Sequence, residues 1–393
     1  MITIGITSVG GGVGQNVIAS LRESSLDVRI IGLDASPWGV GVHDSDVAYR
    51  LPLPDNPAYM PTLLSRCRET GVVMLIPGSD SELSVLARHA SELEANGCFV
   101  LVSGPECVGV CRDKLATYHE MAPFGAPIVE TWASEEIEPQ ARDLPYPLIA
   151  KPRGGSGSRG VVVLMRPEDW VHVPQNEPMV IQPYLFPADW EADPARMRAA
   201  LDRLDRTRQP IQEDGVAIQA MTDERGELLG MFAAMVNHRS GVPILNRPIE
   251  HPDLQDACYR SVAALAPLGL RGPVNLTGYW TRRGMLLFEI NARFTGSTYP
   301  RALLGYNEVE AAARYFALGQ SCESVQRMLR PRVGWVALRQ VHGCDVAVPL
   351  DRMTIFESKG CLVNSSLPAE SRSKRRRERR LDHLLSRRAI DKG

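Results

Sequence analysis

The strongest constraint on the fold of this chain is an alternation of short apolar runs with helical patterns in its N-terminal part. The apolar runs read ITIGIT at 2–7, VRIIGLD at 28–34, VVMLIPG at 72–78 and CFVLVSG at 98–104. Strands that alternate with helices are typical of a parallel sheet covered by helices on both faces. The sequence therefore predicts a doubly wound α/β unit that ends near Pro105.

Two segments far apart in the remaining chain contain residues suited to nucleotide chemistry. KPRGGSGSRG at 151–160 follows an apolar strand, and its glycines allow backbone amides to wrap phosphate oxygens. FEINARFTGS at 288–297 places Glu289, Asn291 and Arg293 at alternate positions of a predicted strand, so that the three side chains would share one face. A carboxylate, an amide oxygen and a guanidinium suit magnesium and phosphate. Together the segments predict an enzyme that uses ATP.

Another glycine-rich turn, GGGVGQ at 10–15, follows the first strand. Gly10 and Gly12 fit the G-x-G-x-x-G fingerprint of dinucleotide sites, but Gln15 stands where the third glycine belongs. Asp34 ends the second strand, where a ribose-binding acid would lie. The turn therefore leaves two alternatives open: an NAD site, or a tight strand-to-helix turn whose amides face another anion.

Length and composition limit the class of protein. At 393 residues, two or three domains are expected, and 44% hydrophobic and 23% charged residues are typical of soluble globular proteins. The sequence contains no apolar run near the ~18 residues of a membrane span. It begins with a strand and turn pattern rather than a signal peptide, so we expect a cytoplasmic protein with no membrane partner.

Charge is unevenly distributed along the chain. The net charge is −2, yet residues 371–393 contain ten Lys/Arg and only three Asp/Glu. Such a basic tail is a candidate for docking an acidic partner, and its alternative is a solvated terminal helix. We do not expect nucleic acid as a partner.

The two nucleotide-type segments resemble those of the ATP-grasp superfamily, especially the branch that contains biotin carboxylase and the large chain of carbamoyl-phosphate synthetase. The resemblance covers roughly residues 1–320 and includes PGSDSEL at 77–83, the pair Asp113–Lys114 and GPVNLTGY at 272–279. It implies an α/β and α+β fold, in which a parallel-sheet domain precedes two lobes that hold ATP between them.

The resemblance implies three parts of the chain. They are a Rossmann-like N-terminal domain at 1–110, an ATP-grasp domain at 111–320 with a glycine-rich flap at 151–160 and an inserted helix at 187–214, and a C-terminal extension at 321–393. The inserted helix is interpreted either as a lid or as an oligomer contact.

The resemblance also implies roles for single residues. Arg293 would face the transferred phosphoryl group and the substrate carboxylate, and Arg239 is a candidate second cation near the acceptor. Glu289 and Asn291 would hold magnesium. The residues implied to bind ATP are Lys114, Lys151, Gly154, Gly155, Ser156, Gly157, Ser158, Gln182, Tyr184, Leu185 and Glu213. Because sheets of this kind bind ligands at strand ends, the candidate substrate contacts are Gly11, Gly12, Ser79 and Asp80.

Two departures from the family pattern concern carboxylates. Pro183 stands where the hinge usually carries an acid, so Glu213, Asp214 and Glu191 compete for the ribose-binding role. Thr277 occupies the strand position where the family's first metal ligand is expected. A hydroxyl is a poor replacement for a carboxylate, so one magnesium ion would be held differently or ligated from elsewhere.

The function implied by the resemblance is that of an ATP-dependent ligase. Such an enzyme phosphorylates a substrate carboxylate to an acyl phosphate and joins it to an amine, with ATP and Mg²⁺ as cofactors and small molecules as substrates. Chains of this family are often dimers, so a homodimer is compatible with the resemblance. Three alternatives remain: a bicarbonate-using carboxylase or carbamoyl-phosphate-type enzyme, a non-catalytic nucleotide-binding protein, and an NAD oxidoreductase.

Overall fold

Three β-sheets with helices packed around them organise this protein. The computed structural model describes residues 1–155, 159–239, 241–339 and 358–363. Ser156, Gly157 and Ser158 of the predicted flap lie outside the described residues, as does the basic tail at 371–393. Within the described part of the chain, no helix is both long and apolar enough to cross a bilayer.

The first sheet is parallel and has helices on both faces. The N-terminal elements are β1 Ile2–Thr7, α1 Gly12–Glu23, β2 Val28–Asp34, α2 Val40–Asp44, β3 Val47–Arg50, α3 Tyr59–Thr70, β4 Met74–Ile76, α4 Asp80–Ala95, β5 Phe99–Val100 and α5 Pro105–Arg112. The parallel strands have the order β3-β2-β1-β4-β5. This arrangement confirms the predicted doubly wound unit, although the sequence analysis missed β3 and α3.

Burial on both faces explains why these strands read as continuous apolar runs. Neighbouring residues of β2 point to opposite sides of the sheet: Ile30 packs in the core that contains α1, whereas Ile31 packs in the core that contains α3 and α4. The strand β3 is only four residues long and ends in the exposed Arg50, so it has too little alternation to be recognised.

The second sheet is antiparallel and carries the glycine-rich segment. Its region contains α6 Lys114–Met121, β6 Trp132–Ala133, α7 Ser134–Ile137, β7 Leu148–Pro152, β8 Val162–Leu164, β9 Met179–Pro183, α8 Ala188–Ala192 and α9 Pro194–Thr207. The strand order is β6-β9-β7-β8, so the glycine-rich segment connects two paired neighbours, β7 and β8. The helix α9 begins at Pro194. The Asp193 side chain accepts hydrogen bonds from the first-turn amides, and Pro194, which lacks a backbone N–H, occupies the first helical position.

The third sheet is also antiparallel and carries the acidic strand. Its elements are β10 Gly215–Thr222, β11 Leu228–Arg239, β12 Val242–Pro248, α10 Pro252–Leu265, β13 Gly272–Thr281 and β14 Gly284–Asn291. The strand β14 ends at Asn291, and in the turn that follows the Arg293 amide donates to the Asn291 carbonyl at 2.9 Å. The prediction that Glu289, Asn291 and Arg293 all lie on one strand is therefore wrong for Arg293.

The chain then returns to the first sheet. The last elements are α11 Thr298–Leu303, α12 Glu308–Ala312, a π-helical turn Ala313–Ala317, α13 Cys322–Gln326, β15 Ala337–Leu338 and β16 Cys361–Val363. Single 3₁₀ turns occur at Ala122–Phe124, Glu138–Asp143, Pro167–His172 and Ala266–Leu268. Phe316 stacks on Phe99 with ring centroids 4.7 Å apart, and β16 pairs antiparallel with β3.

Two apolar segments in this C-terminal part, VGWVALRQV at 333–341 and MTIFES at 353–358, are predicted as strands from their pattern. The strand predicted at 333–341 is reduced to the two residues of β15 within the described range, at the edge of the third sheet. The strand predicted at 353–358 lies almost entirely outside the described residues. The proposed division into 1–110, 111–320 and 321–393 stays a prediction.

Candidate functional site

A cleft lies between the second and third sheets. It consists of an inner cavity of about 30 Å³ and an outer cavity of about 120 Å³. The two cavities share the lining residues Lys114, Gly155, Gln182, Phe288 and Glu289. Because five residues line both, the cavities are parts of one continuous site.

Lys151, the last residue but one of β7, lies on the floor of the outer cavity. Its side chain is buried, and Nζ donates to Gln182 Oε1 at 2.8 Å on the neighbouring strand β9. The Gln182 amide in turn donates to Thr131 Oγ1 at 3.0 Å. Nζ also lies 4.3 Å from the centroid of the Phe288 ring, which is a cation–π distance. These contacts hold the ammonium at one point of the cleft.

The electrostatics of Lys151 are unusual for a lysine. Burial lowers its pKa from 10.5 to about 7; the carboxylate of Glu289 opposes this shift, and the neighbouring charge of Lys114 adds to it. The site contains the amines of Lys114 and Lys151 but only the carboxylate of Glu289, so it carries excess positive charge when Lys151 is protonated. An anion in the cleft would raise the pKa of Lys151 again.

Lys114 and the base of the glycine-rich segment are tied together. Asp113 is the N-cap of α6 and also accepts from Arg153 Nε at 3.1 Å. Burial alone would raise the pKa of Asp113, but the hydrogen bonds from Arg153 and from the helix amides lower it. Lys114 Nζ donates to the Pro152 carbonyl at 3.1 Å. The pair Asp113–Lys114 therefore positions both the start of the segment and a second amine at the cleft.

The far end of the outer cavity is lined by the hinge after β9 and by the segment that follows α9. The Tyr184 hydroxyl accepts from the Ile211 amide at 3.0 Å, and the Tyr279 hydroxyl donates to the Ile211 carbonyl at 2.9 Å. Burial raises the pKa of Tyr184 to about 12, so its hydroxyl stays neutral. Leu185 and Gln212 complete this part of the lining. The end of the inserted helical region thus forms one wall of the cleft.

None of the three candidates for the ribose-binding acid lines the cleft. The half-exposed Glu213 accepts from Arg203 at 3.0 Å. Asp214 accepts from Trp190 Nε1 at 2.9 Å and from Arg196 at 2.6 Å. The carboxylate of the third candidate, Glu191, lies 3.7 Å from Arg282 Nε. The neighbouring Gln212, which sequence reasoning passed over, takes the cleft position instead.

The acidic end of the cleft is built by β14. Glu289 and Asn291 both line the inner cavity. Thr277 on β13 is the cross-strand partner of Glu289, and the register shifts directly after this pair, where Phe288 is the extra residue. This bulge directs both Phe288 and Glu289 into the cleft. The predicted absence of a carboxylate opposite Glu289 is therefore real in three dimensions.

These residues fit a magnesium ion that is shared with phosphate oxygens. Magnesium needs only one or two protein carboxylates when phosphates and water supply the other ligands, and Glu289 with Asn291 meets that need. In the described part of the chain, no cluster of three His, Cys, Asp or Glu side chains provides an all-protein metal cage. The Thr277 hydroxyl donates to Asn275 Oδ1 at 3.0 Å, so it is already engaged within β13.

Arg293 lines neither cavity, but it forms a bidentate ion pair with Asp80, which lines the inner cavity. Its Nε and Nη2 donate to the two carboxylate oxygens at 2.6 and 2.7 Å. The pair joins the turn after β14 to the first turn of α4, and Arg112 donates to the Asp80 carbonyl from α5. The structure thus brings together Arg293, a predicted catalytic cation, and Asp80, a predicted substrate contact. It also shows that this guanidinium binds a carboxylate through two hydrogen bonds.

The other predicted cation, Arg239, ends β11 and is exposed, outside the lining of both cavities. Its neighbour His238 interacts electrostatically with Glu289: burial lowers the His238 pKa, and the charge of Glu289 opposes that shift. Sequence reasoning also missed Arg339, whose guanidinium donates to the Gly296 carbonyl at 2.9 Å and to Asn16 Oδ1 at 2.7 Å. No sequence pattern marks Arg339.

The predicted substrate contacts of the first domain divide between two places. Asp80 lines the inner cavity, whereas Gly11 lines a separate cavity in the N-terminal domain. Gly12 starts α1, and Ser79 caps α4 through its hydroxyl. Asp34, the would-be ribose acid of an NAD site, accepts a hydrogen bond from the Gly10 amide at 2.7 Å. That amide is therefore used within the protein, which does not favour the NAD alternative.

Comparisons with known proteins agree with this geometry. Residues 4–101 match the family described as PylC-like, N-terminal domain. A curated relative is the mitochondrial methylcrotonoyl-CoA carboxylase subunit alpha of Oryza sativa subsp. japonica, 28% identical over 169 residues. The match spans 41% of this chain and 23% of that protein, so this chain corresponds to only a part of the relative's length.

Two solved structures are similar over most of the chain. One is the biotin carboxylase domain dimer of the Hydrogenobacter thermophilus 2-oxoglutarate carboxylase with MgADP, ADP and bicarbonate: 17% identity, TM-score 0.59, 84% of this chain and 73% of that chain. The other is N5-carboxyaminoimidazole synthetase from Staphylococcus aureus with ADP: 15% identity, TM-score 0.59, 86% and 80%. The predicted fold and resemblance are confirmed: the chain has the ATP-grasp fold, and its residues 4–101 are similar to the PylC-like N-terminal domain family.

Proposed function

We propose that this protein is an ATP-dependent ligase that activates a substrate carboxylate as an acyl phosphate and joins it to an amine. The observation that carries the proposal is the cleft between the second and third sheets, which is lined by two amines, the base of the glycine-rich segment and an acidic strand, and which is joined to the Arg293 guanidinium through Asp80. ATP and magnesium are proposed as its cofactors, because solved relatives of the same fold contain ADP and MgADP.

ATP would lie with its base in the outer cavity and its phosphates toward the inner one. The apolar walls formed by Ile149, Tyr184 and Leu185 suit a nucleobase. Lys114 and Lys151 would neutralise phosphate charge at the junction of the cavities, under the glycine-rich segment. Magnesium held by Glu289 and Asn291 would supply charge neutralisation at the phosphates when bound.

We propose that Arg293 receives the substrate carboxylate in exchange for its partner Asp80. Two side-chain N–H groups already bind the two oxygens of the Asp80 carboxylate in parallel, the geometry that guanidinium groups use for carboxylates. In the proposed reaction, a substrate carboxylate oxygen attacks the γ-phosphorus as the bond to the β-phosphate oxygen breaks. The amine then attacks the acyl carbon, phosphate leaves, and the amine loses a proton. Positioning and charge neutralisation account for most of the expected acceleration.

The test is phosphate release from ATP and magnesium across a pooled panel of amino acids and small carboxylates, with ADP and AMP both quantified. The proposal expects ADP and phosphate to appear only with particular substrates. Formation of AMP instead, or tight ATP binding with no turnover on any substrate pool, would contradict it. The second result would favour a non-catalytic nucleotide-binding protein.

A second candidate function is a bicarbonate-using carboxylase or a carbamoyl-phosphate-type enzyme. Two similar proteins favour it: one is a carboxylase subunit, and the other is a biotin carboxylase domain whose structure was solved with bicarbonate. Phosphate release that requires added bicarbonate, with label from bicarbonate recovered in the product, would replace the carboxylate–amine reaction by this one.

The proposed partners are small-molecule substrates and a second copy of the chain. The solved carboxylase domain is described as a dimer, and light scattering of the purified protein would test the homodimer proposed here. A partner for the basic tail at 371–393 stays a prediction, because that tail lies outside the described residues. Deleting it and measuring both kinetics and partner binding is the direct test.

A further inference from the structure

The N-terminal domain contains a cavity of about 390 Å³ that takes no part in the proposed nucleotide chemistry. It lies at the carboxyl end of the parallel strands, between the turn after β1, the loop after β2 and the segment after β3. This edge of a doubly wound sheet is where ligands bind in general. The volume is within the range of roughly 300–1,000 Å³ for small-molecule sites. We refer to it as the N-terminal cavity.

The lining of the N-terminal cavity does not suit an anion. Among the described residues that line it there is no lysine or arginine, and the acidic side chains are the carboxylates of Asp34 and Glu82. The glycine amides that could hold a phosphate are already used: the Gly10 amide donates to Asp34 at 2.7 Å, and the Gly11 amide donates to the Ser8 carbonyl at 3.0 Å. A phosphate or carboxylate ligand would therefore meet two carboxylates and would find these two glycine amides already engaged.

The two carboxylates differ in what they can still bind. Glu82 is buried and is surrounded by donors, including the hydroxyls of Thr7 at 2.5 Å and Tyr59 at 3.0 Å and the Gly78 amide at 2.9 Å. It is a structural group at the floor of the cavity. Asp34 receives one backbone N–H on each oxygen, which sets its orientation. In the part of the chain that the structure describes, no cationic side chain lies within ion-pair distance of it.

Large apolar side chains form the mouth of the N-terminal cavity. Trp38 is 71% exposed and Leu53 is 61% exposed, although both line the cavity. Exposed large apolar groups around a concave site mark binding surfaces. An indole face beside a carboxylate also favours organic cations, because the ring attracts positive charge and the carboxylate pairs with it.

We propose that the N-terminal cavity binds an organic amine that carries an apolar arm, with Asp34 as the counter-ion and Trp38 stacking on the arm. The same helix α4 connects this cavity to the cleft, because Ser81 and Glu82 line the former and Asp80 lines the latter. The cavity therefore lies where the amine substrate of the ligase would be recognised. That last assignment rests on the proposed function, whereas amine binding itself does not.

The test uses three probes of one shape: phenethylamine, phenethyl alcohol and phenylacetate. Their binding to the full-length protein is measured by ligand-observed NMR and calorimetry at neutral pH. We expect the ammonium probe to bind best and phenylacetate worst, by at least about tenfold, because Asp34 would pair with the ammonium and repel the carboxylate. Equal binding of the three probes, preference for the anion, or no binding would overturn the proposal.

Variants locate the binding site. Trp38→Ala should weaken the ammonium probe about tenfold, and Asp34→Asn should abolish the preference for the ammonium over the alcohol. Trp335→Ala is the matched control, because this tryptophan is also half-exposed but lies outside the lining of the N-terminal cavity. Unchanged binding in Trp38→Ala, or equal loss in the control, would refute the placement.

The outcome is separable from that of the proposed ligase reaction. Amine binding with no ATP turnover on any substrate pool would refute the ligase function but support the amine site in the N-terminal cavity. Substrate-dependent ATP turnover without binding of the ammonium probe would remove this site and leave the ligase.

Discussion

Replacing Lys151 by methionine is expected to have opposite effects on stability and on ATP binding. Methionine keeps the apolar stem but removes the amine, whose pKa burial lowers from 10.5 to about 7. That difference corresponds to about 5 kcal/mol of preference for the neutral form in the folded protein. Losing the hydrogen bond to Gln182 costs about 1–3 kcal/mol. The net gain of the variant is therefore about 2–4 kcal/mol where wild-type Lys151 is charged.

The sign of this effect depends on pH. Above pH 7 the folded protein loses the Lys151 proton, whereas the unfolded chain keeps it up to about pH 10.5. The unfolded state thus binds more protons in this window, so the Lys151 contribution to the free energy of unfolding rises with pH. At about pH 6 the cost of the buried charge is complete, and the variant is more stable than wild type. Near pH 10 the cost has vanished, and the variant is slightly less stable.

Urea denaturation followed by circular dichroism at these two pH values measures the stability change, and calorimetry with ATP and magnesium measures the second arm. Because the ammonium would bind phosphate, Lys151→Met should weaken ATP about 10–100-fold. Wild type should also take up close to one proton on binding near pH 8. Lys114→Met is the matched control, since its amine donates to the backbone carbonyls of Pro152 and Gly155. It should weaken ATP with a smaller gain at low pH, because the Lys114 charge contributes less than burial to the lowered pKa of Lys151. A stability difference that is the same at both pH values would refute the reasoning.

Three further predictions concern the cleft. Arg293→Ala should lower turnover by ~10²–10³, the effect of losing one preorganised charge-stabilising group; Arg260→Ala, an exposed arginine on α10, is the control, and turnover within tenfold of wild type would remove the role assigned to Arg293. Glu289→Gln should raise the magnesium concentration for half-maximal turnover about 10–100-fold, and an unchanged magnesium requirement would argue against Glu289 as a ligand. Thr277→Glu places a carboxylate opposite Glu289, so the magnesium concentration for half-maximal turnover should fall. A rise in that concentration would show that the site accepts no second carboxylate.

Much of the architecture follows from local patterns. The strands β1, β2, β13 and β14 and the helix α9 are predictable because burial, turns and capping residues leave direct marks on the sequence. The glycine-rich segment and the acidic strand are equally visible, and they were enough to indicate the fold. The short strand β3 and the helix α3 were missed because their apolar pattern is too weak.

The candidate site was predictable residue by residue only where a motif carried it. Lys151, Gln182 and Glu289 line the cleft as expected. Glu213 does not, because an ion pair with Arg203 of the inserted helix turns it away. Phe288 was missed because an alternating strand would point it out of the cleft, and only the bulge in register turns it inward.

The sequence by itself determined the alternation of strands and helices in the N-terminal part, the glycine-rich segment and the missing carboxylate at Thr277, since each depends on neighbours along the chain. Tertiary structure alone decided the ion pair of Arg293 with Asp80, the lowered pKa of Lys151 and the acidic N-terminal cavity. The reason is physical. Local propensities act over a few residues, whereas Coulomb interactions and desolvation depend on which groups from distant elements come within a few ångströms of one another.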